Sequence, residues 1–173
     1  MWLLIMDKSA FIVEARTHGE CSEQDHEINL RGQSFVRIQN PRDQWCLARS
    51  ILVGLKYYKE GQQRTPSFKA YCVQQHLTTY ANAAKQLLVD SGISTQKAEY
   101  DLNDAKKIQE LLIHRFAQDE FRLVIFSSDH NKQIVWKGWK DRPAIFNLCL
   151  FLEANHFSFV CDPKHILKVN YRA

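Results

Sequence analysis

Glycine and proline are scarce in this 173-residue chain, six and four respectively. No low-complexity tract or internal repeat is present, which excludes linker-like and solenoid architectures. Long apolar runs are missing too. The longest near the N-terminus, Trp2 to Met6, is too short for a signal-peptide core or a membrane span, and no basic segment precedes it. The five cysteines (21, 46, 72, 149 and 161) are odd in number and irregularly spaced, so they do not read as a disulfide framework. No Cys-x2-Cys pair occurs. The two mixed spacings, His18 with Cys21 and Cys161 with His165, do not amount to a zinc site, and no metal or cofactor is expected. Strong charge of one sign is also lacking. The net charge of +4 comes from basic residues scattered along the chain, so composition does not argue for a nucleic-acid partner.

What is present is an apolar fraction of 45%, enough for a globular core. The chain reads as a reduced, intracellular protein and as a single domain over 1–173. Its end at Tyr171-Arg172-Ala173, without a polar tail, hints at the N-terminal part of something longer. The most informative stretch is Asn40-Pro41-Arg42-Asp43-Gln44-Trp45-Cys46-Leu47-Ala48-Arg49-Ser50-Ile51. A polar, proline-bearing loop delivers Cys46, and a helix-forming run starts behind it. That places a thiol at a helix N-terminus, where unpaired backbone N–H groups favour thiolate. Such a junction can also aim N–H groups at a developing oxyanion. A nucleophile needs a base within reach, and His156, opening the strand-like His156-Phe157-Ser158-Phe159-Val160, is the candidate. The dull reading of each is a structural cysteine and a core histidine.

Strands are expected over 2–6, 10–15 and 34–38. Behind Cys46, the spacing of Leu47, Ile51, Leu55 and Tyr58 predicts a helix with those residues inward. A loop between Gly61 and Pro66 leads to a second helix running from Ser67 or Tyr71 to Ser91 and stopped by Gly92. A third spans 102–116, capped by Asp101 with Asp104 in its first turn. Strands follow at 121–126, 133–137, 145–152, 156–161 and 166–171. Helices first and strands last give an α+β fold: a helical layer carrying the cysteine on a mostly antiparallel sheet carrying the histidine. Trp136 is expected to pack inward and Trp139 to lie on a hairpin surface, where an aromatic and basic segment offers a weak case for base or protein stacking.

Asp43-Gln44-Trp45-Cys46-Leu47-Ala48-Arg49-Ser50 resembles the cysteine box of ovarian-tumour (OTU) family deubiquitinases, which typically runs Asp-Gly-x-Cys-Leu-Phe-Arg-Ala. His156-Phe157-Ser158-Phe159-Val160 is similar to the family's histidine box. A closer likeness is to the OTU-like segment at the start of type-B DNA polymerases of Polinton and adinto-like elements, matched in order by Asn40, Asp43, Cys46, Ala48-Arg49 and Asn155-His156-Phe157. The resemblance implies an OTU/papain-like fold and a viral or transposon thiol isopeptidase, monomeric, acting inside the host cell on ubiquitin or a ubiquitin-like protein. It further implies Cys46 as nucleophile, His156 as general base, and the loop beginning at Asp43 as shaping the oxyanion hole.

Two departures stand out. Gln44 replaces the usual glycine, and Ser158 stands where many OTU enzymes carry the acid that orients the histidine. Asp162 shares the face of His156 but reaches it only if the chain bends near Pro163. Asn170 becomes a partner, in a Cys-His-Asn arrangement, if the last strand returns antiparallel. The missing acid also supports an alternative: a catalytically weak or inactive OTU-like binding or structural module of a viral or transposon replication protein.

Overall fold

Leu47, Ile51 and Leu55, spaced four apart, are all fully or nearly buried and face a sheet. The computed structural model describes residues 35–38, 43–130 and 133–163. Within them run β1 (Phe35–Val36), α1 (Cys46–Lys59), α2 (Pro66–Val73), α3 (Thr78–Asp90), α4 (Leu102–Arg115), β2 (Phe121–Ser127), β3 (Ile134–Lys137), β4 (Phe146–Glu153) and β5 (His156–Val160). The strands form one sheet in the order β1-β5-β4-β2-β3. Pairings β1–β5, β4–β5 and β2–β3 are antiparallel and β2–β4 is parallel. This is the expected α+β arrangement, helices on a mostly antiparallel sheet. Among the described residues, no helix is long and apolar enough to cross a membrane. The strands expected at 2–6, 10–15 and 166–171 lie outside the described residues.

Alternation along the strands sorts their side chains onto two faces. Leu123, Ile125, Leu148, Leu150, Phe157 and Phe159 pack under the helices, while Val124, Phe126, Cys149, Phe151 and Val160 form a second cluster. Every residue of β2 is buried, as expected of a central strand covered on both sides. Gly54 lets α1 lie directly on β4 and β5: a Cβ there would run into the side chains of Leu148 and Phe159. Gly54→Ala is therefore expected to destabilise the fold by about 1–3 kcal/mol through overpacking, against the gain of about 1 kcal/mol that alanine brings to an unobstructed helix. Chemical denaturation measures it, and an alanine variant more stable than wild type would contradict this packing.

Helix ends follow their local chemistry. Gly92, at φ +66°, closes α3 with paired bonds, Gly92 N–H to Val89 and Ile93 N–H to Leu88, both 2.9 Å, a Schellman stop. Asp101 and Asp104 form a reciprocal capping box on α4. One expectation fails. The second helix is not continuous but breaks between α2 and α3, where Gln74–His76 form a 3₁₀ turn and Leu77 is extended at ψ 144°. The reason is tertiary, since the Gln75 carbonyl is taken by the buried Arg49 guanidinium. Trp139 also departs from a bare hairpin surface. It is half-buried, with the Arg122 and Arg142 guanidinium groups 5.6 and 5.3 Å from its ring centre.

Candidate active site

The polar loop before α1 is held by Asp43. Its Oδ1 accepts from the Trp45 backbone N–H at 3.0 Å, a local Asx-type turn, and from Arg49 Nε at 3.2 Å. Its Oδ2 pairs with Arg49 Nη2. Arg49 is only 3% exposed, and its Nη1 donates to the Gln75 carbonyl. One guanidinium thus ties together the loop, α1 and the turn between α2 and α3. The Trp45 indole N–H donates to the Thr95 carbonyl at 3.2 Å. Buried Tyr100 stands behind, its hydroxyl pushed up to about 12 by burial first and then by the negative charge of Asp104, Cys46 and Asp43. Asp43 therefore anchors the loop through Arg49.

Cys46 is the first residue of α1, and no side chain caps that helix. Among the described residues β1 pairs with β5 at Phe159 and Val160. Farther along β5, the Phe157 backbone N–H donates instead to Cys46 Sγ, at 3.4 Å. The sulfur thus rests against the peptide that joins His156 to Phe157, though 111 residues separate the two contacting positions in sequence. Helix terminus and N–H donor both favour negative charge on sulfur. Cys46 is itself only 4% exposed, as buried as Cys149, so the helix terminus and the N–H donor, not exposure, set it apart. Among the other described cysteines, burial pushes the Cys72 and Cys149 thiols up to about 12 and Cys161 to about 11. At neutral pH these three are thiols, hence poor nucleophiles.

His156 opens β5 directly behind a tight hairpin. Ala154 and Asn155 take φ of 47° and 61°, the paired left-handed conformation of a type I′ turn that asparagine tolerates well. The turn sets Glu153 directly opposite His156, on the same face of the sheet. The imidazole is lowered from its ordinary value of 6.5, mainly by burial and also by Arg37, with the Ile38 carbonyl and Glu153 pulling the other way. Its Nε2 is sealed from solvent with no hydrogen-bond partner. Ser158 is buried two positions on. Asp162 is exposed beyond the far end of β5; the strand stays extended through Val160, so the bend that would bring this carboxylate to His156 does not occur before that point. Asn170 lies outside the described residues, as do His18, Cys21 and His165.

The lowered imidazole has a consequence for stability. Below pH 6.5 an unfolded chain takes up a proton that folded His156 still refuses, so its contribution is present above that pH and is lost as pH falls. Between pH 7.5 and 5, wild type should lose more Tm than His156→Gln. Parallel curves for the two proteins would contradict a desolvated ring.

No protein-family model matches the sequence, and a search of curated proteins finds no match. Among solved structures the chain aligns with the crystal structure of the viral OTU domain protease from Taggert virus. The alignment covers 78% of this chain and 81% of that one, at 14% identity and a TM-score of 0.37. A likeness at that score carries no argument about chemistry, which has to come from the site itself.

Two residues of the site were not legible as such. Arg49 appears in the sequence as a matched position of the cysteine box with no role attached, and its burial comes from Asp43 and Gln75 converging on it. Glu153 faces His156 because the turn has just two residues, and alanine at its first position gives no turn signal.

Proposed function

We propose that this chain is a thiol isopeptidase of the OTU type, removing ubiquitin or a ubiquitin-like modifier from proteins. The observation that carries the reading is the Cys46 sulfur at the start of α1, taking the N–H of the residue that follows His156. The choice of substrate rests on the likeness of the two boxes around these residues to OTU enzymes.

In this reading the His156 imidazole takes the Cys46 proton, and the thiolate attacks the carbonyl of the Gly–Lys isopeptide. The oxyanion forms against the amides at the head of α1, which the Asp43–Arg49 pair holds in place. The imidazolium then protonates the departing lysine amine, leaving a thioester. Water, deprotonated by the same imidazole, hydrolyses it to free the modifier and restore the thiol. His156 is already neutral at pH 7 because of its burial, the state a base requires. Glu153 and the Ile38 carbonyl, both of which favour the protonated ring, take the place of the acid that Ser158 does not supply. The site of action is the interior of a host cell, and the relationship to Polinton-type polymerase segments rests on the order of matched residues alone.

The test is cleavage of a panel of C-terminal fluorogenic amides of ubiquitin and ubiquitin-like proteins. Turnover of at least one by wild type, and none by Cys46→Ala, is expected. A folded wild type that binds a modifier yet cleaves none of the panel would instead favour the non-enzymatic module.

A further inference from the structure

A cavity of about 340 Å³ opens on the sheet face opposite α1, away from Cys46. Its floor is Val124, Phe126, Cys149 and Val160, and Arg122 and Lys137 also line it. Arg122 is the unusual member. It is only 6% exposed, a burial that guanidinium groups rarely undergo without a carboxylate. Here Nε donates to the Asn147 side-chain carbonyl at 2.9 Å, and Nη1 donates to the carbonyls of Trp139 and Arg142 at 3.2 and 2.9 Å. Among the described residues no hydrogen bond engages Nη2, and that atom is not among those sealed from solvent. Among the described residues, neither Arg122 nor Lys137 forms an ion pair. Nearby, Arg142 lies against the Trp139 ring, which Arg122 also flanks. Positive charge thus gathers in the cavity, with no carboxylate paired to it among the described residues. At the rim, Ile134 and Ile145 are 49% and 61% exposed.

We infer that this cavity binds a small amphiphilic anion, its charged head between Arg122 and Lys137 and its apolar tail over Val124, Phe126 and Val160. A carboxylate or phosphate head supplies the charge-assisted acceptor that Arg122 Nη2 lacks. The tail lies along the apolar floor and against Ile134 and Ile145, the lining residues that are exposed, as in small-ligand sites generally. The site is distinct from the Cys46 site in its residues, since neither Cys46 nor His156 lines the cavity.

The probes are octanoate, octyl phosphate and octanol, titrated calorimetrically into the wild-type chain, with amide NMR shifts locating the site. At least one anion should bind about tenfold or more tighter than octanol, the increment of one charge-assisted hydrogen bond. The shifts should centre on Arg122, Val124, Asn147 and Cys149. Whichever anion binds tighter identifies the head group. Lys137→Gln, at a half-buried position that makes no ion pair, should weaken the anion several-fold while leaving octanol unchanged. Arg122→Gln should erase the preference, and if that variant does not fold, Lys137→Gln and the shift map decide. Cys46→Ala should bind as wild type does, which separates this site from the proposed peptidase. Equal binding of octanol and both anions, no binding of any probe, or shifts elsewhere on the protein would overturn the inference.

Discussion

His156→Ala is expected to lower kcat for cleavage of a ubiquitin C-terminal amide by about 10²–10⁴, the usual worth of a positioned general base. Cys46→Ala should remove turnover altogether, because no other described cysteine sits at the site and burial holds the other three as thiols. The two losses should not add. Once the sulfur is gone, His156 has no proton to take, so Cys46→Ala/His156→Ala should match Cys46→Ala alone. His156→Gln separates base chemistry from packing: it fills much of the same volume and should fail nearly as badly as alanine. Glu153→Gln acts one step removed. It keeps the hairpin but withdraws the negative charge opposite the imidazole, and should shift the pH–rate profile more than it shifts KM. If His156→Gln keeps near wild-type kcat, the ring is only a packing element.

Asp43→Asn is expected to cost about 3–5 kcal/mol of folding stability, the penalty for breaking a buried ion pair by removing one partner. The amide can still accept the Trp45 N–H, so the local turn survives. What is lost is the countercharge of a guanidinium that is 3% exposed and reaches no other carboxylate among the described residues. For a chain of this length that translates to roughly 6–20 °C in Tm. Arg49→Met placed on top of Asp43→Asn should recover a substantial part of the loss, since it withdraws the orphaned charge and keeps much of the side-chain volume. If Asp43→Asn instead melts within a degree or two of wild type, the pair does not lock the loop that presents Cys46. Activity should fall with stability, because that loop positions the amides at the head of α1.

Much of the frame could be read from local patterns. The apolar spacing of Leu47, Ile51 and Leu55 announces α1, the Asp101–Asp104 pair announces the start of α4, and Gly92 announces the end of α3. These are signals within a few residues of the feature they set. The break between α2 and α3 is not of that kind, since Gln75 surrenders its carbonyl to a side chain 26 residues earlier. Nor is the parallel β2–β4 pairing, because two buried strands look alike whichever way they run. At the site, the sequence singles out Cys46 and His156 through a loop-to-helix junction and a strand start. The groups that tune the imidazole are harder to see. One is a backbone carbonyl, Ile38, with no side-chain signature, and another is Glu153, brought opposite by a two-residue turn. Asp162, attractive on the page for sharing a strand face with His156, sits beyond the other end of β5.

The central claim is that Cys46, alone among the described cysteines, is an activated nucleophile. Ubiquitin, or the ubiquitin-like protein preferred in the cleavage panel, can be given a C-terminal electrophile in place of its terminal carboxylate, incubated with the wild-type chain, and the adduct mapped by peptide mass spectrometry. The account predicts a one-to-one adduct on Cys46, lost in Cys46→Ala and slowed in His156→Ala. An adduct on Cys72, Cys149 or Cys161 in its place, or none with any modifier from a folded protein, would contradict it.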